Sequence, residues 1–337
     1  MEVRLGLREP AHEGRRLAAP RAPPSNGGRP VLTYVTTRTL ACVPVLAGVT
    51  LAVFSLLLLI PGDPVKMMLA EFATTPEQVA RMRAQLHLDD PLPVQYGRFV
   101  GHAITGDLGT SIRSRRPVAQ EIRENLGSTA ILATASMAVA LVIGVSLGLV
   151  ASLVRNSWLD VLAMLVALVG VSMPSFWLGL LLIIGFSLHL GWFPATGGGD
   201  LPHLVMPAVT LGLIASAIIA RLTRSSMLEV LGQDYVRTAR AKGLAGWAVV
   251  VRHGLANALI PIITIFGLQF GNLLAGTVIV ETVFARPGVG RLLVGGILNK
   301  DFPLVQGTIL FVATAYVLIN LLVDLTYAVV DPRIRLG

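Results

Sequence analysis

Long uncharged runs are the dominant pattern of the chain, and they set its expected architecture. A helix needs about 20 apolar residues to cross the hydrocarbon core of a bilayer, because it rises about 1.5 Å per residue. The pattern therefore predicts six candidate membrane spans. They are residues 39–60, 128–154, 161–199, 201–220, 254–280 and 302–323.

The third run, 161–199, is roughly twice as long as one span requires. It contains the sequence SMPSF at 172–176, in which Pro174 lacks a backbone donor and clashes with the preceding helical turn. A kink or break near Pro174 is therefore expected. We interpret the run as one crossing, broken at Pro174, followed by a glycine-rich extension outside the cytoplasm.

Composition supports a membrane location for these runs. The chain is 54% hydrophobic and 14% charged, and its mean hydropathy is +0.72, whereas a typical soluble domain is about 25% charged. The one cysteine, Cys42, lies in an apolar run, so the sequence offers no disulfide framework and no thiolate metal site. The net charge of +8 is interpreted as a topology signal rather than as nucleic-acid binding, since short cytoplasmic loops collect Lys and Arg.

The distribution of Lys and Arg predicts the orientation of the chain. With six crossings, the arginine-rich segment 1–38, the turn 155–160 and the basic loop 221–253 all lie in the cytoplasm, as the positive-inside rule requires. Segment 281–301, which carries Lys and Arg as well, would be an exception. With seven crossings the loop 221–253 would lie opposite the N-terminus, so six crossings are favoured. The N-terminus is then cytoplasmic.

The loop that follows the first span is expected to be ordered, because residues 77–88 have helical spacing between the turn signals PGDP and DDPLP. A cleavable signal peptide is disfavoured, because the first apolar run exceeds the ~7–15 residues of a signal-peptide core. The expected parts are a disordered cytoplasmic tail (1–31), a first transmembrane helix (32–60), an extra-cytoplasmic loop (61–127), a transmembrane core (128–330) that includes the cytoplasmic segment 223–255, and a cytoplasmic tail (331–337).

A basic cluster, DYVRTARAKG at 234–243, lies within the apolar second half of the chain. The absence of Pro and the two alanines predict a short helix, with Asp234 as its N-cap and Gly243 as its stop. The small face of this helix is expected to insert into a groove on a cytoplasmic partner, and the alternative is that the charges are topology signals alone. Helical spacing places Arg237, Arg240, Ala241 and Leu244 on the basic face, and Tyr235, Val236, Ala239 and Gly243 on the small face.

Several further stretches form a recognisable series around this cluster: RLTRSSMLEVLGQDYVRTARAKGL (221–244) with NALIP (257–261), LIPGDPV (59–65), GDLGTSI (106–112), VSMPSFW (171–177), VETVFARPGVGRLL (280–293) and VVDPRIR (329–335). In content and order they resemble the membrane permease subunits of bacterial ATP-binding cassette (ABC) importers of the dipeptide, oligopeptide and nickel family. The resemblance covers nearly everything after residue 31.

The resemblance implies an all-α integral membrane protein of the bacterial cytoplasmic membrane, with the six transmembrane helices of the type I ABC importer permease fold. It implies four kinds of partner besides the lipid bilayer: a second homologous permease subunit, two cytoplasmic ATPase subunits and an extra-cytoplasmic solute-binding protein. ATP and Mg²⁺ would be used by the ATPase subunits, and this chain would hold no cofactor.

In this family the basic loop is a coupling segment whose short helix docks in a cleft of the ATPase. One position departs from the family pattern, since Arg237 stands where the EAA motif has its glutamate. The coupling residues that the resemblance implies here are Asp234, Tyr235, Arg237, Thr238, Ala239, Arg240, Ala241, Lys242, Gly243 and Leu244.

Polar side chains at membrane depth are costly and tend to face the interior of a helix bundle. Gln269 and Asn272 in the fifth run and Asn320 in the sixth are therefore candidates to line a translocation pathway. Ser172 and Pro174 join them because they lie at the expected break in the third run.

Other classes of function fit the sequence less well. No G-x-x-x-x-G-K-[ST] motif is present, so ATP hydrolysis is expected on another polypeptide. A self-sufficient channel or secondary transporter would predict several intramembrane carboxylates or an inverted repeat, and a receptor or scaffold would leave the coupling-type segment unexplained. The cargo stays open among dipeptides, longer peptides, glutathione-like peptides and nickel chelates.

The predicted topology is testable with single cysteines in a Cys42→Ala background. Cysteines at Ser25 and Gln233 should be protected from an impermeant thiol reagent in intact cells, because both positions are predicted to be cytoplasmic. A cysteine at Thr110 should be labelled. Labelling of the cysteine at Gln233 from outside would contradict the six-crossing topology.

Overall fold

The computed structural model describes residues 30–59, 65–66, 75–85 and 87–330. Within these ranges the protein is helical, and the β-type pairing recorded there is an isolated bridge between Thr110 and Pro117. Most of the predicted N-terminal tail, the turn PGDP and the tail at 331–337 lie outside the described residues.

The helices follow the predicted runs closely but extend beyond most of them. Two π-helical segments occur as well, Ile183–His189 directly after Leu182 and Val249–Leu255 directly after Ala248. The α-helices are α1 (Pro30–Leu59), α2 (Pro76–Gln85), α3 (Leu92–Thr105), α4 (Val118–Leu153), α5 (Trp158–Ser172), α6 (Ser175–Leu182), α7 (Pro202–Leu231), α8 (Asp234–Ala241), α9 (Gly246–Ala248), α10 (Ala256–Val283), α11 (Val289–Leu298) and α12 (Phe302–Val330).

Six helical segments of the described chain are long and apolar enough to cross a membrane, and α5 with α6 forms an additional bent pair. Two of the six, Gly246–Ile263 and Ile265–Val283, follow one another in the continuous helical run 246–283. Counting that run as one crossing and the bent pair as another gives six crossings, which is the predicted number. The other four segments are Val35–Leu56, Val118–Leu153, Pro202–Leu231 and Phe302–Leu325.

The centre of the bundle is the close, parallel pair of α4 and α7. An added Cβ at Gly144 would lie 2.7 Å from Ile219 Cβ, and one at Gly148 would lie 2.5 Å from the backbone oxygen of Ala220. Only glycine allows the two backbones to come this close, as the GxxxG spacing of Gly144 and Gly148 predicts. The same holds on the other side of the contact, where a Cβ at Gly212 would lie 2.6 Å from Val139.

The parallel direction of this pair decides how many times the third run crosses. Residues 139, 144 and 148 of α4 meet residues of α7 in the same ascending order, so the intervening chain must return from one end of the bundle to the other. We call these ends the α8 end, where α4 stops and α8 begins, and the α11 end, where α7 starts. The prediction that 161–199 makes one net crossing is confirmed.

The break in the third run lies where Pro174 predicts it. Helix α5 ends at Ser172, and Met173 is extended at φ −80° and ψ 129°, because the ring of a following proline excludes the helical conformation. Helix α6 then leaves α5 at an angle of 107°. This bend is far larger than a proline kink within a continuous helix.

Within the segment between α1 and α4, the described helix α3 folds back on the first span. Helix α2 ends at Gln85, three residues before the end of the predicted helix 77–88. Helix α3 packs on α1, where the rings of Phe54 and Tyr96 are 5.5 Å apart and Thr50 Oγ1 lies 2.9 Å from the Tyr96 hydroxyl. These contacts hold the segment against the first span.

The stretch GDLGTSI at 106–112 is fixed to the start of α12 by a buried carboxylate. Asp301 is 2% exposed. It accepts a 2.5 Å hydrogen bond from Ser111 Oγ and one of 3.3 Å from the backbone N–H of Arg113, and its other oxygen accepts from the N–H of Leu304. The carboxylate therefore caps α12 and holds the preceding loop at the same time.

The contact of α4 with α7 yields a stability prediction. Gly148→Ala should lower the thermal unfolding midpoint of the detergent-solubilised protein, because overpacking a fitted contact costs about 1–3 kcal/mol. Gly127→Ala is the matched control, since it lies in the same helix and an added Cβ there meets nothing within 4 Å. Equal midpoints for the two variants would show that the close approach is not required.

Candidate functional site

The candidate coupling segment forms the helix that the sequence predicts, with one difference at its start. Helix α8 runs from Asp234 to Ala241, and its N-cap is Gln233, which makes no side-chain capping bond. The assignment of Asp234 as N-cap is therefore wrong, because Asp234 is already the first helical residue. Its carboxylate still lies in the first turn, where a negative charge favours the helix dipole. Gly243 has φ +79°, so it ends the helix as predicted.

One face of α8 packs against the rest of the chain. Val236 is fully buried and Ala239 is 7% exposed, and both contact a small apolar cluster with Val249 and Leu231. The expectation that Val236 and Ala239 belong to a free docking face is wrong. Both side chains turn inward because the chain that follows α8 folds back as a helix and presents Val249 to them.

The remaining residues of the segment form an exposed surface at the α8 end. We call this set the exposed α8 surface. Trp247, which the sequence analysis did not single out, extends it, since its side chain is 75% exposed. A tryptophan four residues after the end of the basic cluster at Gly243 was the signal that could have pointed to it. The surface comprises Asp234, Tyr235, Arg237, Thr238, Arg240, Ala241, Lys242, Gly243, Leu244 and Trp247.

The electrostatics of the exposed α8 surface are dominated by unburied cations. Arg237 Nη1 lies 3.5 Å from Asp234 Oδ1, and the two side chains are 75% and 96% exposed. Such a pair is worth little, about 0–1 kcal/mol. Arg240 and Lys242 are exposed as well. The surface therefore offers positive charge next to the apolar side chains of Leu244 and Trp247.

The candidate pathway residues do not form one cluster. Asn272 donates to Gln269 Oε1 at 3.3 Å, and Gln269 is buried whereas Asn272 is exposed. Asn320 lies on another side of α10, where its Oδ1 is near Gly271. The Ser172 hydroxyl bonds to the carbonyl of Leu168 in its own helix, and Pro174 caps α6.

Asn320 belongs to a groove between α1, α10 and α12. The groove has a volume of about 680 Å³ and an almost wholly apolar lining. An ion pair between Arg38 and Asp324, with Nη1 and Oδ2 3.1 Å apart, closes its α8 end. Asn320 Oδ1 is buried and has no hydrogen-bond partner among the described residues.

At the α11 end a buried carboxylate joins three helices. Glu281 is fully buried. It accepts hydrogen bonds from Thr129 Oγ1 at 2.6 Å and from the N–H groups of Gly290 at 2.8 Å and Arg291 at 3.2 Å. Thr129 also accepts from the N–H of Val289 at 2.9 Å. The acidic side chain of α10 thus caps α11 and holds both helices to α4.

Two glycines of the motif VETVFARPGVGRLL allow the start of α11 to pack closely against the end of α10. An added Cβ at Gly288 would lie 2.2 Å from the Glu281 carboxylate, and one at Gly290 would lie 2.3 Å from Val278 Cα. Neither position can hold a side chain while Glu281 keeps its bonds. The role of Glu281 was not predicted from the sequence, although an acidic residue beside an apolar run was a signal for it.

Arg286 is a buried cation near this carboxylate. The Arg286 side chain is 4% exposed, and its Nε and Nη1 atoms have no hydrogen-bond partner in the described part of the chain. Burial lowers the pKa of its guanidinium, and the nearby Glu281 carboxylate acts in the opposite direction. The arrangement stabilises the turn between α10 and α11.

No group of three or more potential metal-ligating side chains occurs among the residues that the structure describes. The structure is a helical bundle of several crossings, with the cationic helix α8 exposed at one end. At the other end Glu281 is hydrogen-bonded to Thr129, Gly290 and Arg291, and we call this cluster the polar clamp. The fold therefore defines a polytopic membrane protein. The chain belongs to the family described as "Binding-protein-dependent transport system inner membrane component", which matches residues 140–336, and the N-terminal part of that family matches residues 31–133.

Curated relatives extend over nearly the whole chain. It is 44% identical to the "Dipeptide transport system permease protein DppB" of Alkalihalophilus pseudofirmus, over 90% of this chain and 100% of that protein. It is 45% identical to the "Glutathione transport system permease protein GsiC" of Salmonella paratyphi A, over 90% of this chain and 99% of that protein. The predicted family membership, a permease of the ABC importers, is confirmed.

Solved structures share the fold at low sequence identity. In the inward-facing "MetNI methionine ABC transporter", the native CY5 crystal form matches with a TM-score of 0.53 and 18% identity, over 61% of this chain and 95% of that chain. The SeMet-soaked form of the same crystals matches with a TM-score of 0.54 and 18% identity, over 62% and 96%. The predicted permease fold is thereby confirmed.

The polar clamp at the α11 end yields a second stability prediction. Glu281→Ala should strongly lower the thermal unfolding midpoint in detergent, because it leaves the donors of Thr129, Gly290 and Arg291 without their acceptor, and each buried donor left unpaired costs about 1–3 kcal/mol. Glu281→Gln should cost less, since its amide oxygen still accepts from α11. Glu124→Gln is the control, because that glutamate is exposed on α4. A midpoint for Glu281→Ala equal to that of the control would refute the clamp.

Proposed function

We propose that the chain is the permease subunit of an ABC importer that carries peptides into a bacterial cell, and that it forms half of the translocation pathway. The observation that carries this proposal is the similarity, at 44–45% identity over 90% of the chain, to permeases named for dipeptide and glutathione transport. Both names denote peptide cargo. Peptides are therefore favoured over nickel chelates.

The proposed assembly contains a second homologous permease, two cytoplasmic ATPase subunits and an extra-cytoplasmic solute-binding protein. ATP and Mg²⁺ are used on the ATPase subunits, and this chain binds no cofactor of its own. The family description supports the binding protein, since it names binding-protein-dependent transport systems. The N-terminus and α8 lie in the cytoplasm in this proposal, and residues 61–127 lie on the opposite side of the membrane.

The exposed α8 surface is the proposed contact with the ATPase. Its cations and its exposed Leu244 and Trp247 combine the charge and the apolar area that protein interfaces use. The inward face of α8, with Val236 and Ala239, fixes the helix to the permease. Movement of the ATPase against the exposed face therefore displaces α8 together with the end of α7 and the start of α10.

Bulk on the exposed face tests this contact. Ala241→Trp should leave the permease folded, because Ala241 is exposed and does not belong to the apolar cluster beneath α8. Co-purification of the ATPase subunits should fall about tenfold or more, since overpacking a fitted interface costs about 1–3 kcal/mol.

Ala119→Trp provides the control, because Ala119 is exposed at the α11 end and should not affect ATPase binding. Ala239→Trp is a contrasting variant that should destabilise the permease itself. Unchanged ATPase binding by Ala241→Trp would rule out docking through this face.

The cargo can be identified through the solute-binding protein that delivers it to this permease. Its ligand should be a di- or tripeptide, measured by calorimetry with peptide and glutathione panels. Uptake of the bound peptide into proteoliposomes should require this permease and ATP. A binding protein that accepts metal chelates but no peptide would contradict the proposal.

A further inference from the structure

A partly buried ion pair joins α5 to α7 near the α8 end. Arg224 donates to Asp160 through two parallel hydrogen bonds, Nε to Oδ1 at 2.6 Å and Nη2 to Oδ2 at 2.7 Å. The Asp160 side chain is 5% exposed and that of Arg224 is 26% exposed. This two-bond geometry fixes the relative orientation of the two groups, unlike a single contact between flexible charges.

Asp160 also organises the turn between α4 and α5. Its Oδ2 accepts a 3.0 Å hydrogen bond from the N–H of Asn156, and its own N–H donates to Ser157 Oγ, the N-cap of α5. Asn156 has φ +62°, a left-handed conformation that needs such support. One carboxylate therefore holds the turn and α7 together.

The neighbouring contacts make this end of α7 part of a larger rigid unit. Thr223, which precedes Arg224, packs on Gly148 of α4, where an added Cβ would lie 2.5 Å from Thr223 Cβ. The last residue of α7, Leu231, contacts the buried face of α8. A displacement of α8 is thus delivered to α7 within about 10 Å of the ion pair, since a helix rises about 1.5 Å per residue.

Helix α5 carries that displacement toward the other end of the bundle. It leads to the break at Pro174 and then to α6, where Gly179 packs on the ring of Phe284 at the α11 end of α10. Stability alone is a weak reason for the ion pair, because buried salt bridges contribute little net stability compared with apolar packing. The ion pair instead fixes the orientation of α5 relative to α7, since its two hydrogen bonds oppose sliding of one helix along the other.

We propose that Asp160 and Arg224 are positioning residues for transport, which transmit movement of α8 to α5 and so to the broken third crossing. The pair keeps the α4–α5 turn and the end of α7 in one rigid body while the bundle changes conformation. This inference rests on the proposed function, because it requires ATPase subunits that move α8.

The test uses the complete importer in proteoliposomes, with wild-type and variant permease alongside the ATPase subunits and the binding protein. Asp160→Asn and Arg224→Gln should each keep permease abundance and ATPase co-purification, but should reduce cargo-stimulated relative to basal ATP hydrolysis about fivefold or more. The exchanged variant Asp160→Arg/Arg224→Asp should recover at least part of that ratio. Arg224→Lys, which keeps the charge but not the fork geometry, should fall between wild type and Arg224→Gln.

Arg221→Gln is the matched control, because Arg221 is exposed on the same helix, three residues away. It should retain the wild-type ratio. A wild-type ratio in Asp160→Asn and Arg224→Gln would overturn the inference, and so would a loss of abundance or ATPase binding in every variant of the pair, which would make the role purely structural. Failure of the wild-type permease to bind the ATPases would instead contradict the proposed function.

Discussion

The close approach of α4 and α7 is the contact on which the rest of the structure depends. Lipid gives helices no hydrophobic reason to associate, so packing at short range has to supply the attraction. Gly144, Gly148 and Gly212 let the two backbones meet without intervening side chains. Because the pair is parallel, the chain between its members has to return across the membrane, and this requirement accounts for the third crossing, although not for its break at Pro174.

Buried carboxylates close the bundle around this pair at both ends. Asp160 holds α5 to α7, Glu281 holds α10 and α11 to α4, and Asp301 holds the 106–112 stretch to α12. Each carboxylate also lies at the start of a helix, where backbone N–H groups and the helix dipole favour negative charge. These buried carboxylates thus lie where the backbone has unpaired N–H donors, near the ends of the bundle rather than in its apolar middle.

The features that the sequence predicts well are those decided by the local backbone. Pro174 breaks its helix because of its own ring, and Gly243 ends α8 because it tolerates a positive φ. The prediction that Ala239 faces a docking partner is wrong, because the burial of Ala239 depends on Val249, which reaches it only after the chain folds back. Glu281 and Thr129 are 152 residues apart in the sequence, so no local sequence pattern predicts the hydrogen bond between them.

The angle at Pro174 has a consequence for the surrounding bilayer. Helices that meet at 107° cannot both stand along the membrane normal, and α5 is the one that packs lengthwise beside α7. Helix α6 therefore turns away from the membrane normal at the α11 end, and Phe176, Trp177 and Leu180 are exposed on its surface. A helix that lies in the membrane interface is sensitive to lipid composition and curvature. A displacement of α6 would reach the end of α10 through Gly179, which packs on the ring of Phe284.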